Sequence, residues 1–418
     1  MKKKKVAVIG AGMVGACVGR YLQRDGHDVV MIDPLEAGEG ASFGNAGCFN
    51  PSSLVPIAGP DTFKQVPKYL MDPLGPLSIR WSYLPQLAPW LIRYGLAGTP
   101  EKIKQQAQAL RTLISPCFDA LMPLVDDAGA QKFVKRDGIL IVYRSRESVA
   151  ADARGWALRR ENGIVWEEFD EAQLRAFDSN LTPDAKFGKY VPHNGHTVNP
   201  SELVKAIVDH IVKSGGRLVK AEAKGFAFDG DRLVAVETTA GRIEADTVVL
   251  AAGAHSKSLA ASVGDKVPLE TERGYHVMIR TPAIMPRVPT TDSENKFVVT
   301  PMQLGVRLAG TVELAGLHAA PNWKRAEILL KRLGALFPAL GKDYSDNEIT
   351  YWMGHRPSLP DSLPVLGRST RSADVVYAFG HQHIGMTAAP YTGVVISDLI
   401  SGRPSPIDLA PFRADRFY

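Results

Sequence analysis

The chain has 418 residues, of which 45% are hydrophobic and 22% charged, and its formal net charge is +5. This balance is typical of a globular protein and excludes a disordered or low-complexity chain. Four of the positive charges are the lysines at positions 2–5, and no basic stripe indicates nucleic-acid binding. Three irregularly spaced cysteines, Cys17, Cys48 and Cys117, predict neither a disulfide framework nor a metal site and indicate a cytoplasmic protein.

A strand–turn–helix–strand unit opens the chain. Apolar residues 6–9 predict a strand covered on both faces, residues 13–24 a helix that ends before Gly26, and residues 28–33 a second strand. The lysines and the apolar stretch imitate a signal peptide, but no small-residue cleavage site follows, so we interpret the stretch as buried strand and helix. No apolar stretch reaches the roughly 20 residues needed to span a bilayer.

Residues 58–118 are rich in proline and aromatic residues and indicate an inserted domain. A helix begins within it, with Thr99 as the cap and Pro100 in the first turn. Two interpretations of the insertion stay open. It forms a wall and lid over a substrate, or its apolar face rests on the inner surface of a membrane. The apolar residues are Trp81, Tyr83, Leu84, Leu87, Trp90, Leu91 and Ile92, and their basic neighbours are Lys64, Lys68, Arg80 and Arg93.

Alternating strands and helices return near residue 196. Asn199 and Glu202 open a helix with a capping-box pattern. Further strands are predicted at residues 139–143, 247–252 and 375–379, and further helices at 325–336 and 387–400. This order predicts an α/β fold with two interleaved domains. The first consists of residues 1–57, 195–266 and 354–418, and a sheet-based second domain consists of residues 58–194 and 267–353.

A glycine pattern between the first strand and helix predicts dinucleotide binding. The first glycine permits the tight turn, the second lets a pyrophosphate approach the backbone, and the third lets helix and strand pack closely. The helix N-terminus presents free N–H groups to the phosphates. An acidic residue at the end of the second strand is placed to hold ribose hydroxyls. The residues are Gly10, Gly12, Met13, Val14, Gly15 and Asp33.

Three further segments favour FAD over other dinucleotides. Small residues follow the first unit at Ser42, Asn45, Ala46 and Gly47, and the strand at 247–252 ends in Ala252 and Gly253. A glycine-flanked loop then opens the last long helix, whose N-terminus suits the reduced flavin ring. Its cofactor-binding candidates are Gly380, His383, Ile384, Gly385, Met386 and Thr387. Cys48 lies close to one of these segments, but we expect noncovalent FAD.

Taken together, these motifs resemble the FAD-dependent D-amino-acid oxidase/dehydrogenase family over nearly the whole chain, and in particular the bacterial D-amino-acid dehydrogenases. Asn199 and Pro200 and the Gly-x-Arg-Pro motif at residues 354–357 add to the resemblance. It implies a glutathione-reductase-like FAD-binding Rossmann domain beside a substrate domain. It also implies hydride transfer from the Cα of an amino acid to flavin N5, hydrolysis of the imine, and electron transfer to a membrane quinone or another acceptor.

Four residues are the candidates for contact with the substrate. Arg356 matches the family arginine that grips the substrate carboxylate, for which a guanidinium offers a planar, two-pronged donor. Arg273 is a second carboxylate candidate. Tyr275 and His276 alternate along a strand, so only one of them faces the pocket. His383, with Gln382, departs from the family pattern and suggests D-proline or D-hydroxyproline, whose ring hydroxyl these side chains would meet.

The remaining histidines near these motifs, His193, His355 and His381, are candidates to face the flavin. Three other functions stay open. One is an oxidase of glycine, sarcosine or a 2-hydroxy acid that uses oxygen. Another is a noncatalytic FAD-binding subunit that transfers electrons for a partner. The third is a membrane-bound binding protein that keeps FAD only as structure.

Overall fold

The structure is a computed structural model that describes residues 3–57, 75 and 77–418. Within these residues no helix is long and apolar enough to cross a membrane. The helices of the described part are α1 (Met13–Arg24), α2 (Leu84–Ala97), α3 (Pro100–Ile114), α4 (Cys117–Asp127), α5 (Arg146–Ala151), α6 (Ala153–Glu161), α7 (Glu171–Phe177), α8 (Pro200–Lys213), α9 (Ser256–Val263), α10 (Lys324–Leu333) and α11 (Gly385–Ser401).

The strands of the described part are β1 (Lys5–Ile9), β2 (Asp28–Asp33), β3 (Cys48–Phe49), β4 (Leu77–Ile79), β5 (Val134–Lys135), β6 (Ile139–Tyr143), β7 (Glu167–Phe169), β8 (Phe187–Val191), β9 (Gly195–Thr197), β10 (Arg217–Lys220), β11 (Ala223–Asp229), β12 (Arg232–Thr238), β13 (Gly241–Glu244), β14 (Thr247–Leu250), β15 (Glu270–Ile279), β16 (Thr290–Asp292), β17 (Phe297–Met302), β18 (Gly305–Leu314), β19 (Ile349–Ser358), β20 (Val365–Arg368) and β21 (Val375–Phe379).

A six-stranded sheet in the order β10-β2-β1-β14-β21-β20 forms the first layer. Its strands are parallel except β20, which pairs antiparallel with β21. The central strand β1 is apolar and buried along Val6–Ile9, because both faces of the sheet are covered. Helices α1, α8 and α11 pack together on one face. This layer carries the glycine turn predicted from the sequence.

A nine-stranded, mostly antiparallel sheet forms the second layer, in the order β19-β15-β18-β17-β16-β6-β8-β7 with β4 beside β18. Strands β15, β18 and β19 are its longest, at ten residues each. Helix α10 covers one face, where Leu329 packs with Tyr275 and Leu308. The opposite face of β15 and β19 is therefore left to line the site described below.

Most predicted elements occur, and the predicted α/β fold class is confirmed. The side chain of Thr99 caps α3 by accepting a hydrogen bond from the Lys102 N–H at 3.5 Å. Asn199 caps α8 by accepting from the Glu202 N–H at 3.3 Å, whereas the reciprocal half of the capping box is not formed. The cap therefore depends on Asn199 alone.

The proline-rich segment contains helix α2 despite Pro89 in its interior. Leu87 and Trp90 are buried beside Ile79 of β4, so they do not belong to an exposed apolar face, and the prediction is wrong for these two residues. Trp81 and Ile92 are each 65% exposed. Lys64 and Lys68 of the predicted basic surroundings lie outside the described residues. Membrane contact stays a prediction.

The two sheets draw on the chain segments in an interleaved order. The six-stranded sheet uses strands from residues 1–57, 195–266 and 354–418, and strand β19 of the other sheet crosses position 354. Helices α3 and α4, from the segment assigned to the second domain, pack into the core of the six-stranded layer. The domain boundaries stay a prediction.

Candidate active site

The turn between β1 and α1 accepts only glycine at two positions. Gly10 has a φ of +111°, and a Cβ there would overlap the backbone of Ala251 at the end of β14. A Cβ on Gly15 would overlap the carbonyl oxygen of Gly10. The first turn of α1 therefore lies directly against the ends of β1 and β14.

Gly12, in contrast, has one close neighbour, which is a side chain. The nearest atom to a Cβ at this position would be the Ser42 Oγ at 3.3 Å. No side chain caps the helix and no acidic residue occupies its first turn, although Ser42 Oγ accepts a hydrogen bond from the Met13 N–H at 3.0 Å. The N–H groups of a first turn, here including those of Val14 and Gly15, have no partners within the helix. This arrangement fits a pyrophosphate.

Asp33 lies beside the same turn. Its carboxylate accepts hydrogen bonds from the N–H groups of Ala11 at 2.7 Å and Leu35 at 2.9 Å. Burial raises the pKa of Asp33, while these hydrogen bonds and the nearby His255 lower it. His255 follows Ala252 and Gly253, so the structure brings the acidic residue and the end of β14 together at the edge where the cofactor ribose would bind.

The segment of small residues is held between the two sheets. Arg307 of β18 donates hydrogen bonds to the carbonyl oxygens of Phe43 at 2.9 Å and Asn45 at 2.6 Å. The Asn45 side chain accepts from the Gly47 N–H at 2.8 Å. Burial lowers the pKa of Arg307 to about 10. The second sheet therefore fixes the backbone on either side of Gly44 and next to Ala46.

The loop before α11 is held by its own side chains. Gln382 adopts a left-handed φ of +49° and donates from Nε2 to the carbonyl oxygen of Leu359 at 2.9 Å. His381 is buried, with its Nε2 3.0 Å from the hydroxyl of Thr392. Both side chains point into the protein, so the predicted contact of Gln382 with a substrate is not supported by its position.

The residues after this bend anchor the helix start. Gly380 has a φ of +85°, where a side chain would be strained. Ile384 and Met386 are buried in the core of the six-stranded layer. The Thr387 hydroxyl accepts a hydrogen bond from the Asn50 N–H at 2.8 Å. Gly385 therefore begins α11 beside the segment that follows residue 47.

His383 is the loop residue near Arg356 of β19, and the space between the loop and this strand is called the cleft. Its side chain is exposed and its Nε2 lies 3.3 Å from the Ser53 hydroxyl. The surrounding protein, and then Arg356, lower the pKa of His383 to about 4. The imidazole is therefore neutral at physiological pH and lies close to the predicted substrate arginine.

Strands β15 and β19 form the opposite wall of this cleft. Directly opposite residues of an antiparallel pair have their side chains on the same face of the sheet. The register pairs Glu272 with Arg356, Gly274 with Gly354, and His276 with Trp352. These six residues share one face, and it is the face that meets the segment of small residues.

The Trp352 ring closes one end of this wall. It covers Gly354 and Gly44, where added Cβ atoms would overlap the indole. The His276 ring stacks on Trp352 with centroids 5.2 Å apart, and its Nδ1 lies 3.0 Å from the carbonyl oxygen of Gly44. Burial lowers the pKa of His276 to about 3, so the ring is neutral and structural.

Arg356 leans over Gly274, where a Cβ would overlap its guanidinium. Its Nη1 donates to the carbonyl oxygen of Thr311 at 3.1 Å. Within the described part of the chain this is the only hydrogen bond of the guanidinium. Burial lowers the pKa of Arg356, and Glu272 raises it. Several N–H groups of Arg356 are thus left to bind a ligand carboxylate.

Arg273 and Tyr275 lie on the other face, and the structure does not bring them together with Arg356. Arg273 is fully buried and donates to the carbonyl oxygens of Gly316 at 2.8 Å and Ala319 at 2.7 Å. Its Nη1 is 3.6 Å from Glu313, which accepts a hydrogen bond from the Tyr275 hydroxyl at 2.6 Å. These contacts stabilise the loop after β18.

The other candidate histidines lie away from the cleft. His355 points to the same face as Arg273, with its Nδ1 2.9 Å from the Thr271 hydroxyl, and burial lowers its pKa to about 4. His193 is exposed. Within the described residues no group of His, Cys, Asp or Glu side chains could hold a metal ion. Burial raises the pKa of Cys48 to about 12, so its thiol is neutral, in line with noncovalent cofactor binding.

Sequence analysis missed Glu272, Trp352 and Arg307. Alternation along β15 shows that residue 272 faces away from Arg273. Only the pairing of β15 with β19 puts Glu272 beside Arg356, and that register is a long-range property.

Comparison with known proteins decides the family. The model of the family described as "DAO: FAD dependent oxidoreductase" matches residues 5–399 of this chain. The chain belongs to this family. A D-amino-acid oxidase of Bradyrhizobium diazoefficiens is 46% identical over 99% of both chains. A D-amino acid dehydrogenase of Paramagnetospirillum magneticum is 32% identical, again over 99% of both chains.

Solved structures agree on the fold of this FAD-dependent oxidoreductase. Glycine oxidase from Geobacillus kaustophilus superposes with a TM-score of 0.73 at 22% identity, over 99% of both chains. L-proline dehydrogenase from P. horikoshii gives 0.74 at 18% identity, over 100% of this chain and 98% of that one. At these identities the likeness shows the fold alone. FAD is the cofactor of the family, and the glycine turn, whose Val14 and Gly15 N–H groups have no partners within the helix, fits its pyrophosphate.

Proposed function

We propose that the protein catalyses the oxidative deamination of a D-amino acid to the imine, which water hydrolyses to the 2-oxo acid and ammonia. The observation that carries this proposal is the Arg356 guanidinium, which faces the cleft with one backbone hydrogen bond and free N–H groups. A planar guanidinium binds a carboxylate through two parallel hydrogen bonds. The names of the two relatives support D-amino acids as the substrate class.

In this proposal FAD lies between the glycine turn and the wall formed by β15 and β19. Its pyrophosphate is held at Gly10, Gly12, Met13, Val14 and Gly15, its ribose at Asp33, and its ring by the segment from Ser42 to Gly47, by Ala252 and Gly253, and by the loop from Gly380 to Thr387. Bound FAD supplies the acceptor for the hydride that leaves Cα. Arg356 holds the substrate carboxylate and so aligns Cα with the acceptor.

The electron acceptor of the proposed reaction is a quinone or another small molecule, as the dehydrogenase names support. Oxygen is the second candidate, because the relative with 46% identity is named an oxidase. Production of peroxide during turnover in air would decide for oxygen.

Within the D-amino acids, we propose a cyclic substrate such as D-proline or D-hydroxyproline. Oxidation of such a ring forms a cyclic imine whose nitrogen stays bonded to the side chain, so hydrolysis opens the ring and releases no ammonia. His383 supports this choice, since it is a polar side chain exposed in the cleft near Arg356. Gln382 does not contribute, because its side chain amide is bound to Leu359.

The test is the visible spectrum of the purified holoenzyme under anaerobic conditions with a panel of D- and L-amino acids. We expect D-amino acids, and D-proline or D-hydroxyproline most rapidly, to bleach the oxidised flavin. A yellow protein that no amino acid bleaches would contradict the proposal and favour a noncatalytic electron-transfer subunit. Bleaching by 2-hydroxy acids instead would assign a different substrate class.

A further inference from the structure

Glu272 is an acidic residue on the substrate face of β15 that the reaction above does not use. It lies directly opposite Arg356 in the register of β15 and β19, and only 6% of it is exposed. The next residue on the same face is Gly274, over which Arg356 leans. The sheet thus sets a carboxylate and a guanidinium on neighbouring strands of the same wall of the cleft.

The carboxylate of Glu272 has no direct cationic partner in the described part of the chain. No ion pair or hydrogen bond joins it to Arg356, although each residue shifts the pKa of the other. Burial raises the pKa of Glu272, whereas Arg356 and then Ser358 lower it. The Ser358 hydroxyl is close by, but its geometry makes no hydrogen bond.

A buried carboxylate without a partner is unfavourable, so a cation that enters beside it is stabilised. An amino acid whose carboxylate binds Arg356 carries its α-ammonium group on the adjacent carbon. The α-ammonium group is the cation nearest to the substrate's own carboxylate, while any charge on the substrate side chain lies farther from it. Glu272 and Arg356, opposite each other in the register, therefore offer one partner for each of the two charged groups that every α-amino acid has in common.

We propose that Glu272 is a substrate-binding residue that accepts a hydrogen bond from the α-ammonium group, so that Glu272 and Arg356 form one site for the zwitterion. The inference rests on the proposed function and names a basis for its specificity. A 2-hydroxy acid or a simple carboxylate binds Arg356 but leaves Glu272 without a cation. The site therefore selects α-amino acids by a difference of affinities.

Two matched ligands test this site in the holoenzyme. 2-Aminoisobutyrate has an α-ammonium group but no hydrogen on Cα, so it cannot reduce the flavin, and isobutyrate is the same molecule without the amine. Their dissociation constants are measured from the perturbation of the flavin spectrum and from competitive inhibition of turnover. We expect the wild-type protein to prefer 2-aminoisobutyrate.

In Glu272→Gln, we expect binding of 2-aminoisobutyrate to weaken about tenfold or more, because a hydrogen bond between charged groups is lost. Binding of isobutyrate should stay equal or tighten, since the negative charge beside it is removed. Glu272→Asp keeps the charge at a shorter reach and should retain part of the preference. This variant also serves if Glu272→Gln does not fold.

Glu270→Gln is the matched control. Glu270 is a buried acid two residues away on β15, but its two oxygens accept hydrogen bonds from the Tyr83 hydroxyl at 2.9 Å and the Thr271 N–H at 2.8 Å. The glutamine oxygen can accept from the Thr271 N–H, and its NH2 group can donate to the Tyr83 hydroxyl. The Glu270→Gln variant should prefer 2-aminoisobutyrate over isobutyrate to the same degree as the wild-type protein. An equal loss of both ligands in Glu272→Gln would show that Glu272 only orients Arg356, and would overturn the inference.

A wild-type protein that binds both ligands equally would overturn it too. The proposed function is tested by a different result, since it is contradicted if D-amino acids leave the flavin oxidised. Binding of 2-aminoisobutyrate and isobutyrate measures recognition without turnover, so the two proposals can fail independently.

Discussion

Neighbouring side chains on β15 lie in different surroundings because successive residues of a strand face opposite sides of the sheet. Arg273 points away from the cleft and holds backbone carbonyls of the loop after β18, whereas Glu272 and Gly274 face Arg356. Gly274 matters through the absence of a side chain, since any Cβ would occupy the place of the guanidinium. The environment of Arg356 is therefore set by Glu272 and Gly274 of this strand and by the carbonyl oxygen of Thr311 on β18.

Arg356→Lys should lower kcat/KM for the best D-amino acid by about tenfold or more, mainly through KM. Lysine keeps the charge but loses the planar pair of donors that matches a carboxylate. Arg356→Ala should be more severe. Steady-state kinetics with an artificial electron acceptor measure the effect.

Arg280→Lys is the control, because Arg280 is an exposed arginine just after the end of the same strand pairing. Unchanged KM in Arg356→Ala would remove this residue from substrate binding and reopen the search for the carboxylate site.

Among the elements, the first turn of α1 is the one most tightly constrained by contact. Gly10 and Gly15 leave no space for a Cβ beside the backbone, while a Cβ on Gly12 would meet only the Ser42 hydroxyl, next to the first-turn N–H groups that suit a pyrophosphate. Within this turn the outer glycines, Gly10 and Gly15, thus serve packing, whereas the middle glycine, Gly12, serves binding.

Gly15→Ala should reduce the FAD content of the purified protein and lower its free energy of unfolding by about 1–3 kcal/mol, the usual range for overpacking. The new methyl group overlaps the carbonyl oxygen of Gly10 and must push α1 away from β1. Flavin absorbance and denaturant titration measure the two effects.

For comparison, Gly225→Ala in β11 adds the same methyl group where no atom lies within 4 Å. It should leave both quantities near wild type. Equal FAD content in Gly15→Ala and the wild type would contradict the assigned role of this turn.

The elements also show what a sequence can and cannot predict. The structure of residues 10–33 can be predicted from the sequence because a turn, a helix and a strand each depend on residues close together in the chain. The helix lies at Met13–Arg24, as predicted. The side-chain chemistry of Arg273 and Tyr275 suggests contact with the substrate. The strand, however, directs both side chains toward α10 and the loop after β18. The register between β15 and β19 selects the face, and residues about 80 positions apart determine it.

At the scale of the whole molecule, buried neutral histidines connect stability to pH. His276 lies between the two layers and His381 lies under α11, and burial lowers the pKa of each from the ordinary 6.5 to about 3. Below pH 6.5 the unfolded chain binds protons that the folded chain does not. Their contribution to stability is therefore constant above pH 6.5 and falls as the pH decreases toward 3.

The free energy of unfolding should drop between pH 7 and pH 5 by about 2 kcal/mol for each such histidine. In His381→Gln the drop should be smaller by about that amount, because the titrating group is gone. Chemical denaturation at the two pH values measures it.

His193→Gln, at an exposed position, should show the wild-type drop. An equal drop in His381→Gln and the wild type would mean that His381 is accessible to protons in the folded state.

The interleaved order of the six-stranded sheet has a consequence for synthesis on the ribosome. Strand β1 pairs with β14, so residue 6 meets residue 247, and β14 in turn pairs with β21 at residues 375–377. A growing chain thus presents its glycine turn early, gains β14 only after residue 250, and lacks β21 until about nine-tenths of the chain has been made. Folding of this layer therefore awaits the end of translation, and a prematurely terminated chain would expose the apolar edge of β14.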